Sequence, residues 1–107
     1  MASWFDVCAL EDLVPLRGAA ARLGDVEVAL FRLEDDEVLA ISAVDPFFDA
    51  PVLPRGLVGH LGGCDVVASP LHKQHFDLRT GVCREDPERS VPTYAARVVS
   101  GRLEVCV

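Results

Sequence analysis

The sequence predicts an all-β domain, an antiparallel sandwich or barrel, on three observations. Apolar runs are short and are broken at regular intervals by turn residues, and none holds a helical repeat for about ten residues. Two pairs of runs are joined by glycine-containing dipeptides, Gly24-Asp25 and Ser100-Gly101, which are hairpin signals. The chain has 107 residues, 50% of them hydrophobic, which is enough apolar surface for one core and too little for two.

The elements follow in order. Residues 4–8 form the first strand, and Glu11-Asp12-Leu13 a short turn, since Pro15 and Gly18 stop a longer helix. Residues 19–23 and 26–33 make a hairpin in which Val26, Val28 and Leu30 alternate with Glu27, so that one face points inward. Asp35-Asp36 turns the chain into a strand at 38–42. Pro46, Pro51, Pro54, Gly56, Gly59 and the pair Gly62-Gly63 then punctuate residues 45–64, which are expected to be loop. Residues 66–69 form a short buried strand, Pro70 opens a loop, and residues 75–78 form a strand closed by a Thr80-Gly81 turn. Residues 94–99 and 102–106 make the last hairpin. The expected organisation is one domain over residues 1–107, with residues 1–44 and 82–107 as its base and 45–81 as a loop-rich insertion. No internal repeat or linker is visible.

Charge narrows the function. Net charge is −7, and residues 1–40 hold nine acids against three bases. Without a basic stripe, nucleic acid and anionic membrane surfaces are poor partners. The acidic part is expected to be a solvated face. No apolar run reaches the ~18–20 residues that span a bilayer, and the acidic opening MASWFDVCALEDL is unlike a secretory signal, so a cytoplasmic location is expected. Four cysteines, Cys8, Cys64, Cys83 and Cys106, show no C-x-x-C spacing and are expected to be reduced. Apolar neighbours suggest buried thiols, with Cys64, after two glycines, the most exposed. The Asp35-Asp36-Glu37 run is a turn, and no nucleophile elbow, phosphate loop or dinucleotide fingerprint is present.

The segment VVASPLHKQHFDLRTG, residues 66–81, resembles the second half of a Rieske iron–sulfur domain. Such domains are antiparallel β sandwiches with two loops at one tip, in which two cysteines hold one iron and two histidines the other. The resemblance places Asp45 at the first cysteine position, Phe47 at the first histidine, Ser69 at the second cysteine and His72 at the second histidine. One ligand of four survives. A carboxylate, a benzene ring and an alcohol are poor substitutes for thiolate and imidazole, and using Cys64 and Cys83 instead would require rebuilding both loops. The remaining candidate metal donors, His60, Cys64, His72 and His75, lack a second closely spaced pair. The resemblance thus implies a degenerate cluster-binding tip over residues 45–81 and no cofactor in this chain.

The longer pattern Pro-Leu-x-Lys-Gln-x-Phe-x-Leu-x-x-Gly-x-Cys, with Asp45-Pro46-Phe47, Gly62-Gly63 and Val91-Pro92, resembles the small subunits of assimilatory NAD(P)H-dependent nitrite reductases, over residues 4–105. That resemblance implies a non-catalytic accessory role beside a large subunit that carries FAD, a [4Fe–4S] cluster and sirohaem and reduces nitrite to ammonium. Asp45 and Ser69 should then face each other, and a hydrogen bond between them, or from His72 to Asp45, should replace part of the lost metal cross-link. Of the pair Phe47-Phe48, one ring should be buried and one exposed. Phe48, Gln74, His75 and the single lysine, Lys73, are candidate partner contacts. The alternative is a Rieske-type [2Fe–2S] electron carrier with non-standard ligands.

Overall fold

A computed structural model of the chain describes residues 3–107. The described residues form strands β1 (Trp4–Ala9), β2 (Gly18–Leu23), β3 (Val26–Arg32), β4 (Val38–Ser42), β5 (Leu57–Leu61), β6 (Cys64–Ala68), β7 (His75–Asp77), β8 (Thr93–Val99) and β9 (Arg102–Cys106), with three single-turn 3-10 helices. All-β architecture is confirmed. Six strands in the order β1-β9-β8-β4-β3-β2 make a nearly closed antiparallel sheet, and β5-β6-β7 make a separate three-stranded sheet. The larger sheet is two three-stranded halves joined where β4 meets β8 through only two pairs, Ala40 with Tyr94 and Ile41 with Thr93. No helix of the described residues is long and apolar enough to cross a membrane.

Strands β3 and β4 lie between two cores. Val28, Leu30, Val38 and Ala40 face the interior of the larger sheet with Leu103 and Val105 of β9. Ala29, Phe31 and Ile41 face the other way and pack with Val67 of β6 and Phe76 of β7. Val28, Ala29, Leu30 and Phe31 are all at most 1% exposed. The unbroken apolar run has this cause, because a strand covered on both faces does not alternate. The smaller sheet therefore takes its hydrophobic support from the larger one. Phe31 and Phe76 are fully buried at that junction, and each contributes about 2–3 kcal/mol by area.

Where the chain was expected to remain loop, at residues 57–61, it forms strand β5, paired in register with β6 from Leu57 opposite Ala68 to Leu61 opposite Cys64. Gly62 and Gly63 (φ 57° and 82°) are its two-residue hairpin turn, both in the left-handed region that a type I′ turn demands. The cysteines also depart from expectation. Only Cys83 is fully buried, while Cys8, Cys64 and Cys106 are half-buried, and all four are free thiols.

Polar ties reinforce the junction. Arg79, just after β7, donates to both oxygens of Glu37 at 2.6 and 2.8 Å and to Asp65 at 3.3 Å, linking the β3–β4 turn to β6. At the far end, Ser3 and Val107 exchange backbone hydrogen bonds of 2.9 and 3.1 Å, so both ends of the described chain meet beside β1 and β9.

Two predictions follow from this junction. Gly81 has φ 77°, and a Cβ there would stand 2.0 Å from the Val91 carbonyl oxygen, so Gly81→Ala should cost about 2–4 kcal/mol in urea denaturation. Hydrogen bonds from Arg79 are the largest influence on Glu37 and hold its carboxyl below the ordinary value, against a smaller opposing effect of burial. A depressed native pKa gives stability that is present above the unfolded value and lost as pH falls through the native one. The stability difference between the wild type and Glu37→Gln should therefore be present at neutral pH and shrink as pH is lowered from about 5 toward 3.

Candidate functional site: two matched loops at the tip

Two six-residue loops meet at one end of the molecule, residues 45–50 after β4 and residues 69–74 between β6 and β7. They have the same hydrogen-bond plan. Asp45 N–H donates to the Ala50 carbonyl at 2.8 Å, and Ser69 N–H to the Gln74 carbonyl at 2.9 Å. Asp49 N–H returns to the Asp45 carbonyl at 2.8 Å, and Lys73 N–H to the Ser69 carbonyl at 2.9 Å. The first side chain caps the turn in each, Asp45 Oδ1 accepting from Phe47 N–H at 2.8 Å and Ser69 Oγ from Leu71 N–H at 3.3 Å. Proline is second in both, and the fifth residues, Asp49 and Lys73, both have positive φ, 52° and 62°. No repeat was expected from the sequence. The shared signal was a short polar residue followed by proline, because such a residue caps a turn locally and proline fixes the next φ.

The first residues of the two loops are joined. Ser69 Oγ donates to Asp45 Oδ2 at 2.5 Å, and Asp45 and Ser69 are 0% and 1% exposed. Phe47 turns inward, its ring edge-to-face with Phe76 at 6.4 Å between centroids, while the Arg89 guanidinium lies 5.3 Å from the ring centre. Phe48 turns outward and packs edge-to-face on His72, with centroids 4.7 Å apart. These two are the fourth residues of their loops, so the matched positions meet as an aromatic pair. One phenylalanine is thus half-buried and the other exposed.

The remaining candidates separate. His75 donates its backbone N–H to Glu85 Oε1 at 2.7 Å, and its Nδ1 lies 2.7 Å from Glu85 Oε2. Burial pushes the Glu85 carboxyl up, but the hydrogen bonds from His75 outweigh it and leave the value lowered. His60 pairs instead with Asp65 at 3.3 Å. Lys73 is exposed at the loop apex, and Gln74 Oε1 is buried without a hydrogen-bond partner. Among the described residues no three His, Cys, Asp or Glu side chains gather as a metal-ligand group.

A [2Fe–2S] cluster does not fit this tip. Asp45 and Ser69, which the resemblance puts at the two cysteine positions, are in direct hydrogen-bond contact with each other. Neither is a thiolate, and Phe47 carries no lone pair and is directed into the core.

Paired loops on an antiparallel β scaffold define the class, a Rieske-like domain. A family model described as a Rieske-like [2Fe-2S] domain matches residues 3–106. The small subunit of nitrite reductase (NADH) from Escherichia coli K12 is 47% identical over 106 residues, 98% of each chain. A crystal structure from Mycobacterium tuberculosis, assigned as an NADH-dependent nitrite reductase small subunit, superposes with TM-score 0.96 at 47% identity, covering 100% of this chain and 96% of that one. The large subunit of nitrite reductase [NAD(P)H] from Klebsiella oxytoca contains a stretch 38% identical over 102 residues, 95% of this chain and 11% of that protein. This chain belongs to the family of nitrite reductase small subunits.

Removing the Ser69 hydroxyl leaves a fully buried carboxyl short of one donor. Ser69→Ala should lower stability by about 2–3 kcal/mol in chemical denaturation, and the loss should shrink when Asp45 is replaced as well, which a double-mutant cycle measures.

Proposed function

We propose that this chain is the accessory small subunit of a cytoplasmic NAD(P)H nitrite reductase, without a redox centre or catalytic groups of its own. Its partner is the large subunit that reduces nitrite to ammonium, bearing the FAD, [4Fe–4S] and sirohaem centres. In this reading residues 45–81 are a degenerate cluster-binding tip on a base formed by residues 1–44 and 82–107. Asp45, Phe47, Ser69 and His72 are its former ligand positions. They now hold the two loops in shape, and Phe48, Lys73, Gln74 and His75 meet the partner.

The observation that carries the reading is the buried hydrogen bond of Ser69 to Asp45, which joins two side chains that the resemblance assigns to former ligand positions. The partner is supported by the Klebsiella oxytoca large subunit, whose single polypeptide includes a similar stretch. Joining two modules in one chain raises their effective concentration and is useful when they work in contact.

The isolated protein is expected to be colourless, without stoichiometric iron by metal analysis or visible spectroscopy. A brown protein with about two irons per chain would establish the electron carrier instead. Mixed with the purified large subunit it should form a stable complex in gel filtration, and Phe48→Ala should weaken that complex by roughly ten-fold in a titration, as expected for loss of one aromatic anchor.

A further inference from the structure

The open edge of β5 is the least protected backbone in the smaller sheet. With Gly62-Gly63 as a two-residue turn, Leu61 and Cys64 are its closing pair, so Leu57, Gly59 and Leu61 exchange hydrogen bonds with β6 while Val58 and His60 direct their backbone groups the other way. Arg17 sits opposite Leu57 and covers only the beginning of that edge. Past it, the His60 N–H and carbonyl have no backbone partner among the described residues. Edge strands are commonly blunted with charge or proline. This one reads Leu-Val-Gly-His-Leu, in a chain of net charge −7, and Leu57 is 80% exposed.

A cavity lies against each face of the same edge. On one face a space of about 450 Å³ reaches from Val58 and His60 to Leu16, Leu33, Glu34 and Asp35. On the other, a largely apolar groove of about 520 Å³ runs along Leu57 and Leu61 to Pro70, Lys73 and His75. That groove is continuous with the tip residues assigned above to the partner contact. Arg79, the cation at the first cavity, is already held by Glu37 and Asp65, whereas Glu34 and Asp35 have no cationic partner among the described residues. A strand laid against β5 would send alternate side chains to the two faces. Those on the first face would meet uncompensated carboxylates, and those on the second would cover leucine and proline.

We propose that β5 is completed by an extended segment of the large subunit in which basic and apolar residues alternate, adding a fourth strand to the β5-β6-β7 sheet. This rests on the large subunit being the partner. Main-chain hydrogen bonds to His60 supply the docking, and Glu34 and Asp35 select the basic face.

The test is a titration of purified large subunit with three variants, alongside the wild type and Phe48→Ala. His60→Pro removes the outward N–H and spares the backbone bonds to β6, while giving up the side-chain contact with Asp65. Gly59→Arg fills the apolar groove, at a position where a Cβ meets nothing within 4 Å and the fold should tolerate it. Glu34→Lys combined with Asp35→Lys inverts the charge and keeps the inference testable should the proline variant fail to fold. The expected result is about ten-fold weaker binding or more for each, with an unchanged thermal midpoint for Gly59→Arg, and a salt dependence in the wild type that is lost in the double lysine variant. Wild-type affinity in Gly59→Arg and in the double lysine variant, with weakening confined to Phe48→Ala, would overturn the strand addition and leave the partner standing. Failure of the wild type to bind the large subunit would overturn both.

Discussion

One hydrogen bond decides what the tip of this molecule is. Asp45 follows β4 in the larger sheet, and Ser69 follows β6 in the smaller one, so the bond between them ties the two sheets at their common end. Both groups are inaccessible to water. A buried carboxyl is costly unless its oxygens are filled; here the Ser69 hydroxyl fills one and the Phe47 N–H the other. Each loop contributes one part, and neither part is satisfied alone. The contact thus fixes the relative position of the two loops by a hydrogen bond between their first residues.

That arrangement presupposes the doubly buried strands. Without Ala29, Phe31 and Ile41 the smaller sheet would have no apolar surface to sit on, because a single sheet buries its apolar face only against a second layer. Without Val28, Leu30 and Val38 the larger sheet would lose its interior. The same two strands serve both, and a shift of one residue in the register of β3 would exchange the two sets of side chains. The position of Ser69 against Asp45 is therefore fixed from below, by packing that lies at the opposite side of β6 and β7 from solvent.

How much of this was legible depends on whether the signal was local. The hairpins at Gly24-Asp25 and Ser100-Gly101 were plain, since turn chemistry and flanking alternation agree there. Strand β5 was hidden for a physical reason. Its side chains are mostly exposed and Gly59 interrupts the apolar pattern, so what makes it a strand is its pairing with β6 and not its own periodicity. The second buried face of β3 was present as the unbroken run Val28-Ala29-Leu30-Phe31, although the alternation of Val26, Val28 and Leu30 drew attention to one face only. The meeting of Asp45 with Ser69 was legible through the resemblance. The packing of His72 on Phe48 was not, since nothing local distinguishes which of two adjacent phenylalanines turns out.

The division between those phenylalanines bears on what holds the two loops in shape. Phe47 fills the interior beside Phe76, so the volume below the loops is occupied by a ring, and collapse is prevented by packing. Phe48 and His72, at matched positions in two loops of one design, form a single exposed aromatic surface that neither loop could present alone. Each loop holds its apex by a capping bond from its first residue and a left-handed fifth residue, and aspartate or serine can supply that bond because each accepts from the backbone N–H two positions on. Once the backbone plan and the underlying ring secure it, the apex remains available for a contact that needs two loops in fixed relation.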